Sequence, residues 1–142
     1  MPNTLKLVEV LKLPELDPQS SPMPQLGCLT NSKGKAVLLS NQAKYETVIL
    51  LEFLANGELR GNHYHHAKQE LLYIIEGKLQ GYFWLPEHPK TMQKYIFMPG
   101  ELVTIPAKIA HAYRAIEKTL ALELSAASFD PADTCYQGLA IA

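Results

Sequence analysis

Across residues 34–125 the chain reads as short β-rich runs broken by Gly, Pro or Asn, and that cadence constrains the fold more than any other feature of the sequence. The runs fall at residues 35–39, 45–54, 59–65, 70–76, 79–85, 94–98, 102–105, 112–116 and 119–125. No segment between them carries a capped apolar period of three to four residues, so a βαβ arrangement is excluded and an all-β sandwich or barrel is expected. Two runs, Val48-Ile49-Leu50-Leu51 and Leu71-Leu72-Tyr73-Ile74-Ile75, are apolar on both alternations. Both their faces must therefore be covered, one by the barrel interior and the other by a second copy of the chain, which makes a homodimer the expected assembly.

Ahead of these runs lies a different text. Prolines at 2, 14, 18, 22 and 24 bar a helix or interior strand from residues 14–24, and the mixed apolar and charged residues at 5–13 suit an edge strand. The expected organisation is an N-terminal strand with a proline-rich arm over residues 1–25, able to reach a neighbouring copy, and one barrel domain over residues 26–142. At 142 residues there is no room for a self-contained Rossmann dehydrogenase beside it.

Thirteen Lys+Arg balance fourteen Asp+Glu, and the basic residues are dispersed, so nucleic acid is not expected as a partner. The apolar stretches are short and interrupted by Glu52, Glu70 and Glu76, which leaves no membrane span, and no small-residue cleavage site follows the N-terminus. Cys28 and Cys135 lie far apart in a chain large enough to have its own core. They read as reduced thiols in a cytoplasmic protein. Neither has a histidine near it in the sequence and no G-x-S-x-G occurs, so a cysteine or serine nucleophile is not expected.

The chemistry concentrates in residues 57–77, GELRGNHYHHAKQELLYIIEG. Residues i and i+2 of a strand share a face roughly 6.6 Å apart, so His63 and His65 can aim two imidazoles at one point. Glu70 follows after four residues, a hairpin-compatible length that returns a carboxylate beside them. Two imidazoles and a carboxylate on adjacent strands outline a metal site. His111, after the turn-strand-turn of residues 99–110, supplies a fourth ligand. His66 has the opposite alternation, and His88 sits in a plain loop.

These residues resemble the cupin family. Gly57, His63, His65, Glu70 and Gly77 match every fixed position of its G-x5-H-x-H-x4-E-x6-G pattern. Gly100, Pro106 and His111 follow the partner pattern G-x5-P-x-G-x2-H-x3-N, with Lys108 in place of the turn glycine and Ala115 in place of the asparagine. The resemblance implies a double-stranded β-helix, a jelly-roll-like barrel holding one divalent metal on His63, His65, Glu70 and His111. Arg60 to His65, Gly77, Phe129-Asp130-Pro131 and Asp133-Thr134 further resemble the cupin domain of capsular-polysaccharide reductase-epimerases, which act on nucleotide-linked amino sugars. That likeness favours zinc over iron, manganese or nickel, and a nucleotide-linked keto-sugar as small-molecule substrate. The separate reductase domain of those enzymes cannot fit in this chain.

The remaining assignments follow from alternation and chemistry. Arg60 and Arg114 are the only arginines, and a guanidinium at the barrel mouth suits an anionic group such as a diphosphate. Strict alternation points both away from the histidines, but a bulge at Gly57 or Gly61 would turn Arg60 inward. Tyr73, Tyr82 and Trp84 are candidates for lining a substrate cavity, and Tyr113 shares the alternation of His111. Tyr113, Glu52 and Lys68 are the candidates for moving a proton. Together with the resemblance, these residues make a metal-dependent keto-sugar epimerase or isomerase the expected function, with an iron or manganese oxygenase or decarboxylase and a non-enzymatic sugar- or metabolite-binding protein as alternatives.

Overall fold

The computed structural model describes residues 6–19 and 25–136. Leu5 and the prolines at 2, 22 and 24 lie outside the described residues. The elements are β1 (Glu9–Lys12), β2 (Gly27–Asn31), β3 (Gly34–Leu38), β4 (Thr47–Phe53), β5 (Arg60–His65), β6 (Glu70–Leu85), β7 (His88–Phe97), β8 (Glu101–Ile105), β9 (Ala110–Ser125) and β10 (Thr134–Tyr136). One 3-10 turn, η1 (Pro131–Asp133), is the only helical element among the described residues.

Two strands of 16 residues, β6 and β9, pair antiparallel along their whole length, from Leu71 opposite Leu124 to Trp84 opposite Ala110. The sequence breaks each into two runs, and the structure joins them through a bend. The β6–β9 register shifts between Ile74 and Leu79, where Gly77 takes φ 101° and stands so close to β9 that a Cβ would lie 2.3 Å from the Lys118 carbonyl. Only glycine fits there. On one side of the bend the order is β1-β8-β6-β9-β4, and on the other β7-β6-β9-β5-β10. The two halves close on one core: Leu51, Leu72, Ile74 and Val103 from the first meet Leu79, Phe83, Phe97 and Tyr113 from the second. Phe53 and Tyr113 touch across it edge to face at 6.0 Å. This is an all-β double-stranded β-helix.

The second covering of the doubly apolar run is supplied within the chain. Leu71 and Tyr73, with Leu102 and Leu122, pack beneath the β2–β3 hairpin through Cys28, Val37 and Leu39, with Leu13 beside them. The hairpin is strapped on by Cys28 N–H donating to the Pro14 carbonyl and Leu16 N–H donating to that of Cys28, each at 2.8 Å. A partner copy is thus not what covers Leu71 and Tyr73. Val48 and Leu50 of β4 do remain open, 62% and 65% exposed. The N-terminal strand also lies on its own barrel. β1 pairs β8 from Glu9 opposite Thr104 to Lys12 opposite Glu101, and Leu7 and Val8 enter the main core. The change of composition at residue 25 is not a change of core.

Candidate metal centre and cavity

Alternation along β5 turns His63 and His65 into the barrel, and the register of β5 against β9 sets His63 opposite His111. The ring centroids of His63 lie 4.8 Å from His65 and 4.9 Å from His111, and one nitrogen from each of the three rings falls within 4.8 Å of the others. Glu70, first residue of β6 and 3% exposed, brings Oε1 to 3.0 Å from Nε2 of His65 and 3.5 Å from Nε2 of His111. The four side chains expected from sequence therefore meet.

Their hydrogen bonding fits a cation. Nδ1 of His111 donates to the Ile109 carbonyl at 3.1 Å; since a carbonyl only accepts, the proton sits on Nδ1 and the lone pair of Nε2 faces the site. Glu70 Oε1 and His63 Nδ1 are buried with no hydrogen-bond partner of good geometry, despite the short approach of His65 to Glu70. Buried polar atoms without partners are costly, and a divalent ion among three imidazoles and a carboxylate would satisfy them. Protonation states agree. Burial, then the like charges of His111 and His65, lowers the His63 pKa to about 4, and burial likewise lowers that of His111. Burial works to raise Glu70, but the close approach of His65 and of Glu123 and the charges of His111 and Lys68 outweigh it and hold the carboxyl well below the usual range. Near neutral pH His63 and His111 are therefore neutral beside the Glu70 carboxylate, the forms that bind metal.

A cavity of about 420 Å³ opens onto these four side chains, and Arg60, Lys68, Tyr113 and Glu123 line it with them. Arg60 reaches it through a bulge. Along β9, Tyr113 is two residues from His111, whereas their partners on β5, Arg60 and His63, are three apart. The extra residue is taken up at Gly61, φ 100°, and Asn62, φ 61°. The guanidinium carbon lies 5.2 Å from the centre of the Phe53 ring. Tyr113 lines the cavity as expected, its hydroxyl pKa pushed well above 10 by burial and then by the charges of Glu70 and Glu123.

Glu123 is the group that sequence reading missed. Its Oε1 accepts from Nζ of Lys68 at 3.2 Å, and its carboxyl is close enough to that of Glu70 for each to affect the other's ionisation. Burial and the neighbouring Glu70 push its pKa up to about 8. Like charges this close cannot both ionise freely, so Glu123 keeps its proton to higher pH than a free carboxyl does. The available signal was parity, since Glu123 stands an even number of residues from His111 on one strand. The apparent break at Glu117 and Lys118 hid that continuity.

Other expectations are corrected. Tyr73 lies on the outer face of β6 under the β2–β3 hairpin, because it alternates with inward Leu72 and Ile74. Tyr82 and Trp84 pack outside with Ala110, Ala112 and Leu59, because the bend at Gly77 shifts the parity of β6 and turns Leu79 and Phe83 inward instead. None of the three lines the cavity. Glu52 is on the outer face of β4, 54% exposed at its side chain and 3.7 Å from Lys118 Nζ. Phe129 and Tyr136 stand at the cavity mouth, unforeseen. His66 faces away from the ligands, and its Nε2 lies 2.9 Å from Cys135 Sγ, a histidine near a cysteine in space though not in sequence.

The Lys108 position keeps the turn geometry that its pattern assigns to glycine. Lys108 adopts φ 67° and its N–H donates to the His65 carbonyl at 2.7 Å, fastening the turn before His111 to the end of β5.

The Cupin family model matches residues 34–139. Among solved structures, the chain is similar to the sugar 3,4-ketoisomerase QdtA from Thermoanaerobacterium thermosaccharolyticum in complex with TDP, with a TM-score of 0.72 and 13% identity over 92% of this chain and 88% of that one. It is equally similar to the WlaRB TDP-quinovose 3,4-ketoisomerase from Campylobacter jejuni, with a TM-score of 0.72 and 15% identity over 92% of each chain. The capsular polysaccharide assembling protein CapF from Staphylococcus aureus aligns with a TM-score of 0.57 and 24% identity, over 65% of this chain and 26% of CapF. At these identities the likeness is one of fold. No curated protein matches the sequence. Among the described residues no helix is long and apolar enough to cross a membrane.

Proposed function

The chain belongs to the cupin family, and on that premise we propose that it is a metal-dependent enzyme that epimerises or isomerises a nucleotide-linked keto-sugar. The observation that carries this reading is the convergence of His63, His65, His111 and Glu70, two of them with orphaned buried atoms, at the floor of a cavity that also holds Arg60 and Lys68. A divalent ion, zinc in the first instance, would serve there as a Lewis acid toward a carbonyl oxygen and so acidify the adjoining C–H. The substrate class is supported by the names of the neighbours, which are enzymes of TDP-linked sugars, and by the basic groups of the cavity.

The chain's own residues divide the remaining work. Arg60, turned in by the bulge, is suited to a bidentate grip on a diphosphate. Lys68, Glu123 and Tyr113 are buried proton-bearing side chains of the cavity wall beyond the four proposed ligands, and we assign to them the proton transfer at the carbon beside the carbonyl. Glu52 takes no part in this assignment because of its outward position. A homodimer belongs to the same proposal, supported by the exposed Val48 and Leu50, and a cytoplasmic location is proposed with it.

The test is isotope exchange. Protein loaded with zinc and given a nucleotide-linked 4-keto sugar in heavy water should exchange the hydrogen next to the carbonyl, and His111→Ala should abolish the exchange. Metal-dependent oxygen uptake with small organic acids or diketones, without any exchange, would transfer the chain to the oxygenase class. Silence in both assays would leave a binding protein.

A further inference from the structure

The turn between two of the ligands is clamped by the last described segment of the chain. His66 N–H donates to the Asp133 carbonyl at 3.2 Å, Ala67 N–H to Asp133 Oδ1 at 3.0 Å, and Lys68 N–H to Asp133 Oδ2 at 3.1 Å. One residue thus receives three successive backbone donors from the link between His65 and Glu70. Asp133 is itself fixed: it closes η1, its N–H donates to the Asp130 carbonyl at 3.0 Å, and the Asp130 side chain caps the turn. The following residue, Thr134, stands opposite His65 in the β5–β10 register. Its Oγ1 lies 3.4 Å from His65 Nδ1, with Asp133 Oδ2 at 4.0 Å from the same nitrogen.

An imidazole binds a metal through its unprotonated nitrogen, and the partner of the other nitrogen selects which one that is. For His111 the partner is a backbone carbonyl. His65 has instead a hydroxyl and a carboxylate, both delivered by residues 133–134. We propose that Asp133 is a positioning residue that, together with Thr134, fixes the turn at 66–68 and the ring of His65 so that Nε2 is presented to the metal. This rests on the reading of His63, His65, Glu70 and His111 as ligands. The role is indirect: Asp133 touches no ligand atom of the site, and it acts through the backbone between two ligands and through the far side of one ring.

Cobalt(II), which reports its ligand field in visible absorption, gives a readout apart from catalysis. Metal-free wild type, Asp133→Ala, Asp133→Asn and Thr134→Val are titrated with cobalt, with affinity measured against a competing chelator and thermal unfolding followed in parallel. Asparagine keeps the size of aspartate but leaves one oxygen for two donors; valine keeps the shape of threonine without its hydroxyl. We expect folded Asp133→Asn and Thr134→Val to bind cobalt about 10- to 100-fold more weakly, with a changed absorption spectrum. Wild-type affinity and spectrum in both folded variants, even with a lower Tm, would reduce Asp133 to a structural clamp and overturn the proposal. A folded wild type that takes up no cobalt would overturn the ligand reading, and the proposal with it, so the two failures are told apart by the wild-type titration.

Discussion

Lys68 Nζ stands 3.2 Å from Glu123 Oε1 with side-chain exposures of only 9% and 15%, so a turn residue and the far end of β9 are joined inside the cavity. The lysine charge favours ionisation of both carboxyls, while the neighbouring Glu70 works against that of Glu123. Lys68→Met keeps the length of the chain but removes the charge-assisted bond. It should lower stability by about 1.5–3 kcal/mol, measured by urea unfolding of the metal-free protein.

Removing ligands should remove metal. Wild type is expected to carry about one divalent ion per chain by elemental analysis, and His65→Ala or His111→Ala to carry substantially less. Equal contents in wild type and His65→Ala would refute the ligand set.

The pH dependence of the metal-free protein has a definite sign. Glu123 has a folded pKa of about 8 against an ordinary carboxyl value of 4.5, so the folded state holds the extra proton between those values and stability falls as pH rises toward 8. His63, at about 4 against 6.5, acts the other way, its unfolded form binding the extra proton, but only below pH 6.5. Between pH 6.5 and 8 the Glu123 effect therefore stands alone of these two, and stability should drop by up to about 2 kcal/mol, a Tm shift of several degrees. Glu123→Gln should flatten that slope in a calorimetric series. In acid the direction reverses again: Glu70, depressed in the fold, loses its contribution as pH falls below 4.5.

Substrate recognition separates the inward arginine from the outward aromatics. Arg60→Ala should raise KM for a diphosphate-linked sugar roughly 10- to 100-fold. Tyr82→Phe, altered outside the barrel, should leave KM unchanged. Steady-state kinetics on the two variants decides whether the bulge at Gly61 and Asn62 has the purpose assigned to it.

The exposed face of β4 can be tested without activity. Val48→Lys with Leu50→Lys should convert a dimer of twice 15.9 kDa into a monomer by light scattering without lowering Tm. A wild-type monomer would remove the dimer from the proposal.

The meeting of His63, His65 and Glu70 was legible because it depends on short-range geometry, whereas His111 joins them only through the β5–β9 register. His63 and His65 need only one strand's alternation, and Glu70 only a four-residue turn. Lys108 shows the same legibility surviving a departure from pattern: the turn wants a positive φ, and lysine adopts it at a cost of about 1–2 kcal/mol. Tyr82 and Trp84 were misread for a different reason. Their inward or outward sense depends on whether parity survives Gly77, and that is settled by the approach of Gly77 to Lys118 on another strand. Tyr73 needed no such knowledge, since alternation from Glu70 already points it outward. Asp133 was beyond reach, because a carboxylate that binds the backbone 65 to 66 residues earlier leaves no periodic trace.

The pairing of β10 with β5 sets an order of events during synthesis. Chains emerge N-terminal end first, at about 5–20 residues per second, and each domain closes when its long-range partners are available. His63, His65 and Glu70 are made early, but the clamp on their connecting turn arrives only with residues 133 and 134. A chain made only as far as residue 132 contains His63, His65, Glu70 and His111 and still lacks the support on the turn between His65 and Glu70, so on the proposed reading firm metal capture waits for residues 133 and 134. Premature termination just before Asp133 would then yield a barrel that folds in large part yet competes poorly for metal in the cell.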